Sequence, residues 1–244
     1  MTGASHGFSR AVLAAATQSP VTVVGTALYN PLEGYGIYLI PSVLIIIIFQ
    51  TLMMLVAMMS NRKIEGPLLA SPSPIPHREG WGSALALVCG KTLTYTVLYG
   101  IFALFLVGLL PLLFDIPHQA SFISLVVLLV PYILATSFLG LALSRWYADA
   151  EAPILLIAFF SIGLIFLSGV SYPLELIPWP WRVVHYLIPA APAVLAYVQL
   201  SGMGATLHDV GPQLLALYAQ MIAYFALAVC TYRRKIKGLT QHSE

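Results

Sequence analysis

The pattern of hydrophobic and polar positions along the chain is dominated by long apolar runs that end at basic residues. The clearest run covers residues 37–60, where Leu, Ile, Val, Met and Phe predominate without any charged side chain, and it is followed by Arg62 and Lys63. About 20 apolar residues, each rising 1.5 Å along a helix, cover the roughly 30 Å hydrocarbon core of a bilayer. This run therefore predicts a transmembrane helix.

Four further runs have the apolar character of membrane spans, and their predicted bounds are about 93–114, 121–144, 152–170 and 212–232. Lys91, just before the second run, is expected to extend its ammonium back to the interface, with a functional intramembrane lysine as the alternative. In the third run Ser137, Gly140 and Ser144 share one helical face. Small residues on one face allow membrane helices to approach closely.

The segment between the fourth and fifth runs, residues 171–211, has a different character. It contains five prolines together with several Trp and Tyr residues. Because the prolines break its apolar run over residues 183–198 into pieces too short to cross a bilayer, it is predicted either to be re-entrant or to lie in the membrane interface.

Basic side chains fall almost entirely on one side of the predicted spans. Nine lie on one side: Arg62, Lys63, Arg78, Lys91, Arg145, Arg233, Arg234, Lys235 and Lys237. Only Arg10 and Arg182 lie on the other. The positive-inside rule predicts an extracytoplasmic N-terminal segment (1–36), a transmembrane domain (37–237) and a cytoplasmic C-terminal tail (238–244).

The composition indicates the same class of protein. Of 244 residues, 59% are hydrophobic and only 8% are charged, against about 25% charged in ordinary soluble domains. The predicted fold class is an all-α integral membrane protein with five transmembrane helices. A net charge of +2, without a basic stripe, gives no reason to expect a nucleic-acid partner.

The chain shows little catalytic chemistry. It has no P-loop, no HExxH and no GxSxG motif, so no catalytic or cofactor-binding residue is predicted and the chain is not expected to be an enzyme. Cys89 and Cys230 have no partner ligands at metal-binding spacing and are expected to be buried thiols. The span centres hold no side chain more polar than Gln50 or Thr51, whereas an ion-coupled carrier usually has charged groups there. Energy for transport would therefore come from a partner.

Several stretches resemble the permeases of type-two ABC exporters. They are YNPLEGYGIYLIPSVL (residues 29–44), the Gly90-Lys91 pair, and LSGVSYPLELIPWPWRVVHYLIPAAP (residues 167–192). In that family an Asn-Pro and an outside proline open the second of six spans, a basic-acidic inner loop follows, and a small-Gly-x-x-Tyr/Phe-Pro motif closes the fifth. The corresponding positions are Asn30-Pro31, Pro41, Asn61 to Gly66, and Ser168 to Pro173.

Two departures from the family pattern stand out. The chain lacks the family's first span and most of the extracytoplasmic region after it, so it is expected to represent the C-terminal two-thirds of a full permease. The family's inner loop usually continues with Gly-Thr and an acidic residue, whereas here Glu65-Gly66 is followed by Pro67-Leu68.

The resemblance implies the permease subunit of an ATP-driven exporter in a bacterial inner membrane, moving a drug-like, lipid or other amphipathic substrate. The implied partners are an ABC ATPase, a second permease in a homodimer or heterodimer, membrane lipid and, in drug and lipid exporters, often a periplasmic adaptor protein. No cofactor of the chain itself is implied. An ion-coupled secondary transporter and a non-transporting membrane scaffold are the alternatives.

The resemblance also assigns candidate site residues. The inner loop is expected to form a coupling helix that contacts the ATPase, with a proline-rich linker as the alternative. The candidate coupling residues are Arg62, Lys63, Glu65, Arg78, Glu79 and Trp81. Gln50 and Thr51 are candidates for a substrate path, with helix–helix hydrogen bonding as the alternative reading.

Overall fold

The fold is built from α-helices, as the computed structural model shows for residues 35–60, 80–114, 116, 118–146 and 151–240. Seven helices occur within these ranges: α1 (Tyr35–Met59), α2 (Trp81–Leu113), α3 (Phe122–Leu143), α4 (Glu151–Leu167), α5 (Trp179–His185), α6 (Ala190–Gly202) and α7 (Gly211–Thr240). Short 3₁₀ turns lie at Ser144–Trp146 and Leu174–Leu176.

Four of these helices, α1, α2, α3 and α7, are long and apolar enough to cross a membrane. The pair α5 and α6, which meet at 81°, would supply a fifth if the two form one broken span. Helix α4 is apolar but has only 17 residues, which is the lower limit for a span. The prediction of an all-helical multi-pass membrane protein is therefore confirmed, with four or five candidate spans. The orientation of the termini stays a prediction.

Helix α2 extends further than the second apolar run. It begins at Trp81 and continues through Lys91 to Leu113, with a π-helical turn over Leu104–Leu109. The lysine does not interrupt the helix, and its ammonium contacts the Tyr232 hydroxyl of α7 at 3.3 Å. Trp81, which the sequence places in the inner connection, is thus the first residue of this long helix.

Helix α6 lies at the centre of the bundle. Its side chains from Ala190 to Val194, and most of those that follow, are buried, and it packs against α1, α3 and α7. The small side chains of Ala190, Ala193 and Ala196 allow this close packing. A buried helix satisfies its own backbone polar groups, which is the condition for polypeptide at membrane depth.

Helices α1 and α3 are also in close contact. A Cβ atom on Gly140 would lie 2.8 Å from Cγ1 of Val56, so only glycine permits this approach. The buried Tyr132 hydroxyl donates a hydrogen bond to the Ile45 carbonyl at 2.7 Å. The small-residue face predicted on α3 is therefore a helix–helix contact.

Both cysteines differ from the sequence-based expectation. Cys89 and Cys230 are free thiols, as expected, but both are exposed on the helix surface. A thiol is apolar enough to face lipid as readily as a protein core. Its apolar character alone therefore could not distinguish a lipid-facing position from a buried one. The expectation that they are buried within the protein was wrong.

Candidate functional site

The polar side chains of the helices α1, α2, α3 and α7 converge at one end of the bundle. We call this cluster the basic end and define it by Ser60, Trp81, Lys91, Ser144, Tyr232, Arg233 and Lys235. Three of its members come from one stretch of α7, because α7 continues as a helix beyond the apolar part of the span. This end joins four of the helices through polar contacts.

Lys235 connects the C-terminal ends of two helices. Its Nζ donates to the carbonyl of Ser60, immediately after α1, at 3.0 Å, and to Oγ of Ser144, immediately after α3, at 3.4 Å. The last carbonyl groups of a helix lack intrahelical donors and carry partial negative charge. A lysine at this position therefore stabilises both helix ends and ties them to α7.

Tyr232 lies between two lysines. Its side chain is fully buried, and the ammonium groups of Lys91 and Lys235 each lie 5.3 Å from the centre of its ring. Its hydroxyl accepts from Lys91 at 3.3 Å and donates to Oγ of Ser60 at 3.4 Å. An aromatic ring attracts cations through its electron-rich face, so one tyrosine holds two positive charges close together.

Trp81, the first residue of α2, is held against α7 by Arg233. The guanidinium carbon of Arg233 lies 4.0 Å from the centre of its ring, a cation–π stack. The tryptophan side chain nevertheless remains 52% exposed. It can therefore contact another molecule while it is attached to α7.

These contacts surround the inner connection on both sides. Ser60 precedes residues 61–79 and is bound by Lys235, while Trp81 follows them and is bound by Arg233. The remaining candidate coupling residues, Arg62, Lys63, Glu65, Arg78 and Glu79, lie outside the residues that the structure describes. Whether they contact an ATPase stays a prediction.

The candidate substrate-path residues lie in the middle of α1. The Thr51 hydroxyl donates to the carbonyl of Ile47 at 2.7 Å, one turn earlier, and also interacts with the Tyr99 hydroxyl of α2. Gln50 is half-buried. Thr51 therefore takes part in hydrogen bonding within α1 and to α2, as the alternative reading expects, and the substrate-path role stays a prediction.

The role of Lys235 was missed from sequence. Basic residues after a span are ordinarily interfacial anchors, and Arg233, Arg234 and Lys235 were counted in that way. The sequence offered only a weak signal for this role. Tyr232 lies three residues before Lys235, so the two share a helical face if the helix continues past the apolar run. Among the described residues, no group of three or more His, Cys, Asp or Glu side chains could hold a metal ion.

Long apolar helices with basic anchors at one end define a multi-pass membrane protein. The chain matches the family model described as ABC-2 family transporter protein over residues 2–230, and it belongs to that family. It is therefore a permease subunit of an ABC transporter, and this membership implies an ABC ATPase partner and paired permeases. No curated protein and no solved structure matches the chain significantly.

Proposed function

We propose that the chain is the membrane subunit of an ATP-driven exporter, and that the ATPase binds beside the basic end. The observation that carries this proposal is the attachment of both edges of residues 61–79 to α7, through Ser60–Lys235 and Trp81–Arg233. A partner that moves this connection would move α7, and with it the ends of α1 and α3. ATP-driven closure would thus reach several spans at once.

The proposed orientation places the basic end in the cytoplasm of a bacterium, with the chain in the inner membrane. The support is the excess of nine basic residues over two between the two sides of the predicted spans. An ABC ATPase works where ATP is available, so the same side has to carry the coupling connection. Residues 1–36 would then lie outside.

The proposed substrate class is drug-like, lipid or otherwise amphipathic. The helices α1, α2, α3 and α7 contain no acidic residue, and their interior polar groups are mainly hydroxyls and amides. A transport path lined by these helices would suit an amphipathic molecule better than an ion, because it offers no acidic side chain to bind a cation. This favours ATP-driven export over an ion-coupled carrier. A second permease chain, identical or different, and a periplasmic adaptor complete the proposed assembly.

The test is recovery of the ATPase with a tagged permease, expressed in its native host and solubilised in mild detergent. We expect an ATP-binding subunit to co-purify, recognised by mass spectrometry through its P-loop sequence. Trp81→Ala should lower its recovery strongly, because a half-exposed tryptophan at an interface centre is worth about 2 kcal/mol or more. Trp179→Ala is the matched control, since Trp179 is also exposed but lies in α5, away from the basic end.

A further variant separates direct contact from an effect through α7. Arg233→Gln removes the cation–π stack but leaves the tryptophan, so it should lower recovery less than Trp81→Ala. If the two variants reduce ATPase recovery equally, Trp81 acts only through its contact with α7 and does not contact the ATPase directly. If no ATPase is recovered with the unaltered chain, the exporter proposal fails and the scaffold alternative gains support.

A further inference from the structure

An apolar groove lies where α4 ends and α5 begins, away from the basic end. Its walls are formed by Gly163, Phe166, Leu167, Tyr172, Ile177 and Trp181, with a volume of about 460 Å³. We call it the aromatic groove. Small-molecule sites in proteins usually have volumes of about 300–1,000 Å³. The groove is thus large enough for part of a lipid or another apolar ligand.

Short-range contacts form the groove within the chain itself. Gly169 has φ = +83°, a left-handed conformation that favours glycine, and this lets the chain reverse after α4. Nδ1 of the buried His185 in α5 then donates to the carbonyl of Leu167 in the last turn of α4 at 2.7 Å. The two walls are therefore held together without a ligand, and the site is pre-formed.

The groove has a cationic edge. Arg182 follows Trp181 and is exposed, and its Nε donates to the carbonyl of Ile177 at 2.8 Å. Its Nη2 donates to the carbonyl of Glu175 at 3.2 Å. Because Ile177 lines the groove and its carbonyl holds the guanidinium, the positive charge lies at the groove's rim. Five donors on the guanidinium leave some of them available to an anion.

The residues around the rim are those of a membrane interface. Tyr172, Trp179 and Trp181 are all about half or more exposed, and exposed Trp and Tyr are enriched at the level of lipid headgroups. Near the groove, the Tyr186 carbonyl accepts a hydrogen bond from the side chain of Gln220 in α7. Gln220 lies twelve residues before Tyr232 of the basic end, which is a separation of roughly 18 Å along the helix at 1.5 Å per residue. The groove therefore lies away from the basic end along α7, and its aromatic rim is typical of a membrane interface.

We propose that the aromatic groove binds an anionic phospholipid, with one acyl chain against Phe166 and Trp181 and the phosphate on Arg182. The apolar walls match an acyl chain, and the guanidinium at the rim matches a phosphate both in charge and in its paired donors. Gly163 leaves the space for the chain, since a Cβ atom there would meet nothing within 4 Å. This site does not depend on an ATPase partner.

Trp181 allows the site to be tested by fluorescence. Trp81, Trp146 and Trp179 are changed to Phe, which leaves one tryptophan in the groove, and the full chain is reconstituted with lipids that carry bromine on their acyl chains. Brominated phosphatidylglycerol should quench Trp181 at a several-fold lower mole fraction than phosphatidylcholine with the same chains. Equal quenching by the two lipids would overturn the proposed headgroup contact.

Matched variants separate the two parts of the site. Arg182→Gln keeps donors for the backbone carbonyls but removes the charge, and should abolish the preference for phosphatidylglycerol. Arg182→Lys should keep part of it. Arg234→Gln removes one charge from an exposed position on α7 and should change nothing. A preference that survives Arg182→Gln would contradict the proposal.

The acyl-chain contact is tested by filling the groove. Gly163→Leu should reduce quenching by both lipids, because its side chain enters the space beside Phe166. Gly100→Leu is the control on α2, where a Cβ atom also meets nothing within 4 Å. Unchanged quenching after Gly163→Leu, or an equal reduction after Gly100→Leu, would exclude the groove as the binding site. Displacement of both lipids by an uncharged apolar compound would instead favour a site for small molecules.

Discussion

At the residue scale, Tyr197 shows how one side chain compensates for an irregular helix. Helix α2 contains a π-helical turn over Leu104–Leu109, followed by Pro111. In an α-helix the carbonyl of Val107 would accept from the N–H of residue 111, which proline lacks. The Tyr197 hydroxyl of α6 donates to that carbonyl at 2.9 Å. The buried helix thus stabilises the break in its neighbour.

This arrangement predicts a specific double-mutant result. Tyr197→Phe should destabilise the protein by about 1 kcal/mol, because it removes the buried hydrogen bond to the Val107 carbonyl. In a Pro111→Ala background the new N–H can bind Val107, so the same change should cost clearly less. The measurement is unfolding of the purified chain in mixed micelles. The same loss in both backgrounds would show that the hydroxyl acts elsewhere.

The conspicuous residues of the sequence were only partly informative. Trp81 was identified as an anchor from its type and place, and it remains half-exposed beside the connection. Tyr197 and Lys235 were not identified, because their importance depends on carbonyl groups of other helices that adjoin them only after folding. A tyrosine in an apolar run and a lysine after a span have ordinary local explanations.

At the element scale, the contact between α1 and α3 depends on one glycine. Gly140→Ala would place a methyl group 2.8 Å from Cγ1 and 3.0 Å from Cβ of Val56. Because Cβ atoms belong to the helix framework, the two helices would have to separate, at a cost of about 1–3 kcal/mol. Thermal denaturation in detergent should show this loss.

The control for this prediction is Gly100→Ala on α2, where the added methyl group meets open space. It should leave stability unchanged or raise it slightly through helix propensity. Val56→Ala should partly rescue Gly140→Ala, because it removes Cγ1, the closest atom at 2.8 Å, and leaves Cβ at 3.0 Å. If Gly140→Ala is as stable as Gly100→Ala, the close contact does not limit stability.

The bounds of a helix could be predicted from the sequence where they coincide with the ends of an uncharged apolar run. Helices α1 and α3 follow the uncharged runs closely, since a bilayer requires about that length. Helix α7 begins with its run but continues past it, through the basic residues, to Thr240. The start of α2 was not predictable, because Lys91 looks like the end of a span until Tyr232 provides its partner. The burial of α6 was not predictable either, since an apolar run between prolines fits an interfacial helix equally well.

At the scale of the whole molecule, the two ends of the bundle differ in chemistry. One end joins four helices through Lys91, Arg233 and Lys235 around a buried tyrosine. The groove beside Arg182, away from the basic end, has aromatic side chains and one fixed guanidinium at its rim. In the proposed exporter the first end receives the ATPase and the second meets lipid. The family membership established here is compatible with this division.

The most direct test of the account is photo-crosslinking at the basic end. A photoreactive phenylalanine analogue at position 81 should crosslink to the ATPase subunit in native membranes, because Trp81 is half-exposed beside the proposed coupling connection. The same analogue at position 208, an exposed site in the loop before α7, should not. Crosslinking of the ATPase from position 208 and not from position 81 would contradict both the orientation and the coupling site.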